Sequence, residues 1–216
     1  MDARQVVRGR DAGTRTRCVA MARNFEPSAA EEEILLDVNA IAGDEEYFSV
    51  RGVEVSPDHR ILGYGVDTRG RRFYDLRFID LETGEHLDDT IDDVTPYYVW
   101  ANDSKTIVYV RQDPETLRSY QIWRHKLGTD TTEDVLVYEE KDETFRVGVG
   151  RSKSKKYMLI GSFHTLSSEM RYLDADDPTI RILGAAAAAR LGIDALPIRE
   201  ELVAKLADPS PPLRYW

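Results

Sequence analysis

From residue 53 to residue 173 the apolar positions come in short runs separated by turn residues. Val53-Glu54-Val55, Ile61-Leu62-Gly63-Tyr64-Gly65-Val66 and Leu76-Arg77-Phe78-Ile79-Asp80-Leu81 are alternating or continuously apolar, and rich in β-branched and aromatic residues. Between them lie Ser56-Pro57-Asp58, Thr68-Arg69-Gly70 and Glu82-Thr83-Gly84, clusters that reverse a chain. A helix would need apolar positions three and four apart over about ten or more residues, and these runs are too short and too often broken. The pattern predicts antiparallel sheet.

The runs also recur. Val53 to Tyr64 has the layout of Tyr98 to Tyr109, 45 positions later. A weaker third copy leads from Val147 through Arg151-Ser152-Lys153-Ser154-Lys155-Lys156 into Tyr157-Met158-Leu159-Ile160, with one or two extra residues expected in its turn. The strands that follow repeat too: Phe73 to Leu81, Ser119 to Leu127 and Ser167 to Leu173. Strand-turn-strand units at a period of about 40 to 50 residues mark the blades of a β-propeller. A β-sandwich would account for the hairpins but not for their recurrence.

The fold class expected is therefore all-β: a partial β-propeller of two complete four-stranded antiparallel blades plus part of a third, with a C-terminal helical tail. The blades run roughly from 47 to 91, from 95 to 140 and from about 144 onward. After Pro178 the strand pattern stops. Ala185 to Ala189, then Ile198, Leu202 and Leu206 at intervals of four, predict helix, with Pro197 near a helix start and Asp208-Pro209-Ser210-Pro211-Pro212 at its end. Three segments result: 1–30, a partly disordered or remnant-strand N-terminal segment; 31–178, the partial propeller domain; and 179–216, a divergent helical tail.

Charge and cysteine content narrow the setting. With 29 basic and 39 acidic residues the net charge is −10, which argues against nucleic acid or an anionic membrane surface as partner. The uncharged run from Ile182 to Ala189 has eight residues, far short of the roughly 20 that span a bilayer. Cys18, the single cysteine, can form no internal disulfide, so a reducing, cytoplasmic setting is expected. The first 23 residues carry six Arg against two Asp without the apolar core of a secretory signal, and read as a frayed basic terminus.

Several stretches, in order and at matching spacing, carry a family resemblance. They are Glu33-Ile34-Leu35-Leu36-Asp37-Val38-Asn39, Val99-Trp100-Ala101-Asn102-Asp103-Ser104, Tyr120-Gln121-Ile122-Trp123-Arg124-His125, Tyr138-Glu139-Glu140-Lys141-Asp142-Glu143-Thr144 and Ser168-Glu169-Met170-Arg171-Tyr172-Leu173-Asp174-Ala175. Through them, residues of about 31 to 178 resemble the N-terminal propeller of oligopeptidase B, in the prolyl oligopeptidase family of serine peptidases. Arg17 to Arg23 resembles a remnant of the strand preceding Leu35 in that family. The resemblance implies a seven-bladed propeller capping an α/β-hydrolase domain with a Ser, Asp, His triad, and cleavage of short peptides after Lys or Arg. No G-x-S-x-G elbow occurs in these 216 residues. The nearest approach, Gly161-Ser162-Phe163, lacks the downstream glycine and the helix that expose a nucleophile.

The expected function is thus a fragment of the substrate-gating propeller of such a peptidase, inactive by itself; a truncated or frame-disrupted gene product would have this form. The rival readings are a stand-alone interaction module of propeller blades and one half of a split peptidase. Partners expected are peptide substrates at the level of the family, with a complementing hydrolase chain or self-association through exposed blade edges.

No residue is assigned a catalytic, cofactor-binding or metal-binding role. His59, His86, His125 and His164 are isolated, and His125, inside the matched Trp-Arg-His stretch, is expected to pack in a blade. Ser162, Ser167 and Ser168 lack an orienting Asp-His pair. Asp88, Asp89, Asp92 and Asp93 are interrupted by Thr90-Ile91 and lack the ligand ladder of a calcium loop, which makes them a solvated connection between blades. Arg151, Lys153, Lys155 and Lys156 beside Tyr157 fit a hairpin loop better than a nucleic-acid patch. Trp100 and Trp123 are expected at equivalent blade positions, as core anchors.

Overall fold

The computed structural model describes residues 18–22, 32–177 and 182–189. Strands β1 (Cys18–Ala22) and β2 (Glu32–Asp37) pair antiparallel, which places a strand before Leu35 as the family resemblance implied. One helical turn, α1 (Val38–Ala42), follows. The Asp37 carboxylate caps it, accepting from the amides of Asn39 and Ala40 at 2.9 and 3.2 Å.

Twelve further strands form three four-stranded sheets, each hydrogen-bonded in chain order. The first holds β3 (Ser49–Val55), β4 (Ile61–Asp67), β5 (Tyr74–Asp80) and β6 (His86–Val94). The second holds β7 (Tyr98–Trp100), β8 (Thr106–Gln112), β9 (Ser119–Lys126) and β10 (Val135–Glu139). The third holds β11 (Arg146–Arg151), β12 (Tyr157–Phe163), β13 (Ser167–Asp174) and β14 (Ile182–Ala189). The second strand of each sheet is buried along most of its length, which is why those segments are the near-continuous apolar runs of the sequence.

The first hairpin of each sheet turns in the same way. Its closing pairs, Val55 with Leu62, Trp100 with Ile107 and Arg151 with Met158, have equal spacing. The amides of Ser56, Ala101 and Ser152 donate to the carbonyls of Ile61, Thr106 and Tyr157 at 2.8, 2.8 and 2.9 Å. His59, Ser104 and Lys155 occupy the left-handed region at φ 62°, 57° and 59°. The third turn therefore has no extra residues, contrary to the expectation from sequence.

Two other expectations are corrected. Ala185 to Ala189 form β14 rather than helix: antiparallel pairing with β13, from Ser167–Ala189 to Leu173–Ile182, overrides the helical preference of alanine and completes the third blade with a fourth strand. The rest of the tail, with Ile198, Leu202 and Leu206, lies outside the described residues. Asp88, Asp89, Asp92 and Asp93 lie within β6 and not in a connecting loop; an outermost strand meets solvent and tolerates charge.

The chain forms two compact units, Met1–Asp92 and Asp93–Trp216. In the first, Leu36 and Val38 pack with Leu62, Tyr64, Val66 and Ile79 of the first sheet. In the second, Ala101, Val108, Val110 and Ile122 of the second sheet meet Val147, Met158, Ile160, Leu173 and Ala175 at the third. Two successive blades thus lie face to face across a dry seam. Each aliphatic side chain buried there contributes about 1.5–3 kcal/mol.

Candidate functional site

The polar chemistry of the second unit is concentrated along that seam. Asn102, in the turn between β7 and β8, sends Nδ2 to Asp176 Oδ1 at 2.7 Å and to the Lys155 carbonyl at 3.2 Å. Its backbone amide donates to the carbonyl of Ala175 at 2.8 Å. Its Oδ1 accepts from Arg151 Nη2, so one side chain ties the turn of one blade to two turns of the next.

Two arginines close the seam elsewhere. Arg118 Nη1 donates to the carbonyls of Glu140, Asp142 and Phe145 at 3.4, 3.2 and 3.1 Å, fixing the connector between β10 and β11. Arg171 lies with its guanidinium 4.1 Å from the centre of the Tyr138 ring, donates from Nη1 to Ser162 Oγ at 3.1 Å and pairs with Glu169 at 2.5 Å. Tyr138 in turn donates to Glu140 Oε2 at 2.7 Å. Burial raises the Tyr138 phenol above its ordinary range. Desolvation pushes the Glu140 carboxyl upward, but the bonds from Tyr138 and the Asp142 amide outweigh it and leave the group below its ordinary value.

A third cluster is buried inside the second sheet. His125 Nδ1 is 2.7 Å from Asp134 Oδ1, with side-chain exposures of 0% and 1%, and Tyr109 Oη donates to Asp134 Oδ2 at 2.7 Å. Burial, reinforced by the bond to Asp134, raises the Tyr109 phenol well above its ordinary range. A His-Asp pair suggests general-base chemistry, but no substrate reaches an imidazole and a carboxylate this enclosed. Its role is to hold β8, β9 and the start of β10 together.

His125 is thus buried in its blade, as the matched stretch implied; its carboxylate partner has no signature in sequence. His59 sits in the first hairpin turn, His86 on β6 with its Nδ1 3.5 Å from Tyr64 Oη, and His164 stacks on Phe145 at 5.2 Å. No two of the four come together. Ser162 is fully buried and held by Arg171, while Ser167 and Ser168 lie on β13. The basic cluster occupies the turn between β11 and β12. Trp100 is 2% exposed on β7, whereas Trp123 is half-buried on β9 under Arg111, whose guanidinium lies 4.8 Å from its ring centre. The two tryptophans are not equivalent: they come from the first and third strands of one blade.

Among the described residues, no helix is long and apolar enough to cross a membrane. What the geometry offers is a scaffold: hydrogen-bonded blades joined by polar clasps, with no nucleophile aligned to a base among the described residues.

Comparison with known proteins agrees with that geometry. Residues 8–191 match the prolyl oligopeptidase N-terminal β-propeller domain. The chain is 46% identical to dipeptidyl aminopeptidase BI of Pseudoxanthomonas mexicana over 159 residues, covering 74% of this chain and 22% of that protein. It is 36% identical to protease 2 of Moraxella lacunata over 151 residues, covering 69% of this chain and 22% of that protein. The chain therefore spans about a fifth of the length of the curated relatives it matches. Among solved structures, oligopeptidase B from Leishmania major superposes with a TM-score of 0.70 at 26% identity, over 81% of this chain and 25% of that one. Three repeated sheets and a match over most of the sequence lead to one assignment: the chain belongs to the prolyl oligopeptidase family, as its N-terminal β-propeller portion.

Proposed function

We propose that these blades form part of the wall that gates substrate access in a serine peptidase of the oligopeptidase B type. The observation that carries this is the repeat of four-stranded sheets in a chain matched over residues 8–191 to a peptidase propeller. In this reading the propeller admits short peptides and excludes folded proteins, and cleavage after Lys or Arg is performed by a hydrolase part outside these 216 residues. The substrates are cytoplasmic peptides. The propeller portion runs from about residue 31 to the end of the third sheet, and residues 1–30 and the end of the chain flank it.

A chimera tests the assignment. Residues 31–189 replace the matching segment of dipeptidyl aminopeptidase BI, and turnover of a short fluorogenic peptide is compared with digestion of a folded protein. The expected result is peptide turnover with the folded protein spared. Equal digestion of both would overturn gating. The chain by itself is expected to give no turnover of arginyl or lysyl fluorogenic peptides, and turnover abolished by a serine-directed reagent would contradict the inactive-propeller reading.

A further inference from the structure

We propose that the outer edge of β11 is a binding site for an extended peptide segment, taken up by strand addition. A sheet edge offers a row of backbone donors and acceptors, and folded proteins blunt such edges with bulges, short strands or charge. The other edges of the three sheets carry these devices. Strand β3 has a register shift between Arg51 and Glu54 with Gly52 at φ 61°, and β7 has three residues. Shifts interrupt the pairings of β10 and β14. Strand β6 carries Asp88, Asp89, Asp92 and Asp93. Strand β11 has none of them: all six of its residues pair with β12 in unbroken register, from Arg146–Phe163 to Arg151–Met158. Among the described residues, no strand pairs with its other side.

The faces of β11 define what would fit. Val147 and Val149 point into the seam with the second sheet, so that face is closed. On the opposite face, Gly148 and Gly150 stand beside Gly161 and Leu159 of β12. A Cβ at Gly150 would meet nothing within 4 Å, and one at Gly148 only the Phe163 ring, at 3.7 Å. Phe163 is 49% exposed and lies over Gly161, forming an aromatic wall at one end of a glycine floor. The slot has backbone groups along one side, room above two glycines and an apolar end. One extended chain with an apolar side chain near Phe163 suits it. The edge of a second copy suits it less, because the second sheet leaves access from one face alone. This inference rests on the third sheet and stands or falls apart from the peptidase reading.

The test uses the full chain and a dye-labelled hexapeptide of alternating valine and threonine, followed by fluorescence anisotropy and by amide hydrogen exchange. Saturable binding should slow exchange at alternate β11 amides at least about tenfold. Backbone N-methylation of the peptide should weaken binding about tenfold, the equivalent of losing one or two hydrogen bonds. Gly150→Lys, placed in open space, should weaken it similarly while leaving the thermal midpoint unchanged. Absence of saturable binding would overturn the site. So would binding without β11 protection, equal binding by the N-methylated peptide or by G150K, or a dimer whose β11 amides are already protected without peptide.

Discussion

Asn102 satisfies its side chain across a blade boundary: its amide nitrogen reaches Asp176 and the Lys155 carbonyl, and its oxygen receives Arg151. Truncation would leave the Arg151 guanidinium and the Asp176 carboxylate without that intermediary. Asn102→Ala should therefore destabilise the second unit by about 1–3 kcal/mol, measured by urea denaturation of the full chain. Asn102→Asp should cost more, because it sets a second carboxylate against Asp176. An unchanged midpoint in both would show that the tie adds nothing. His125 and Asp134 illustrate the same residue-scale point within one blade: a buried carboxylate is tolerable because an imidazole and a phenol both bond to it.

At the scale of elements, the middle strands leave little room for change. A Cβ on Gly65 of β4 would lie 3.3 Å from Tyr74 Cβ and Leu76 Cδ2, and 3.4 Å from the Arg51 carbonyl oxygen. Backbone and Cβ atoms cannot swing aside, so Gly65→Ala should destabilise by about 1–3 kcal/mol in calorimetry. Gly150→Ala, which meets open space, should be neutral or stabilising. The first-hairpin repeat was legible in sequence because local chemistry writes it: turn-forming Ser, Asp and Asn between apolar runs. Strand β14 was not, since a run of alanines carries a helical preference and the pairing that overrides it comes from β13. Nor were the seam contacts. Asn102 looked like an ordinary turn residue, and His125 gave no sign of Asp134, because both partnerships are decided by how sheets stack and strands return.

For the whole molecule, the acidity follows from the turns. Asp58, Asp67, Asp80, Asp103, Asp113, Asp130, Asp142 and Asp174 each accept a hydrogen bond from the amide two residues on. Bonds from Thr116, Thr132 and Thr144 hold Asp113, Asp130 and Asp142 below the ordinary value of 3.8. At Asp103, desolvation acts upward but bonds from Thr106 and Lys105 prevail. Groups whose folded pKa is depressed stabilise fully above the unfolded value, and that stability is lost as pH falls through the folded ones. The thermal midpoint should hold near neutrality and fall as the pH drops below about 4, with a shallower fall in Asp113→Asn. The left-handed positions His59, Ser104 and Lys155 have a different consequence. None is glycine or asparagine, the residues that adopt this conformation most readily, so each hairpin holds an unused reserve of thermal tolerance. Asparagine at all three, in hairpins far apart along the chain, should raise the melting temperature by nearly additive steps and give a hardier scaffold with the same strands.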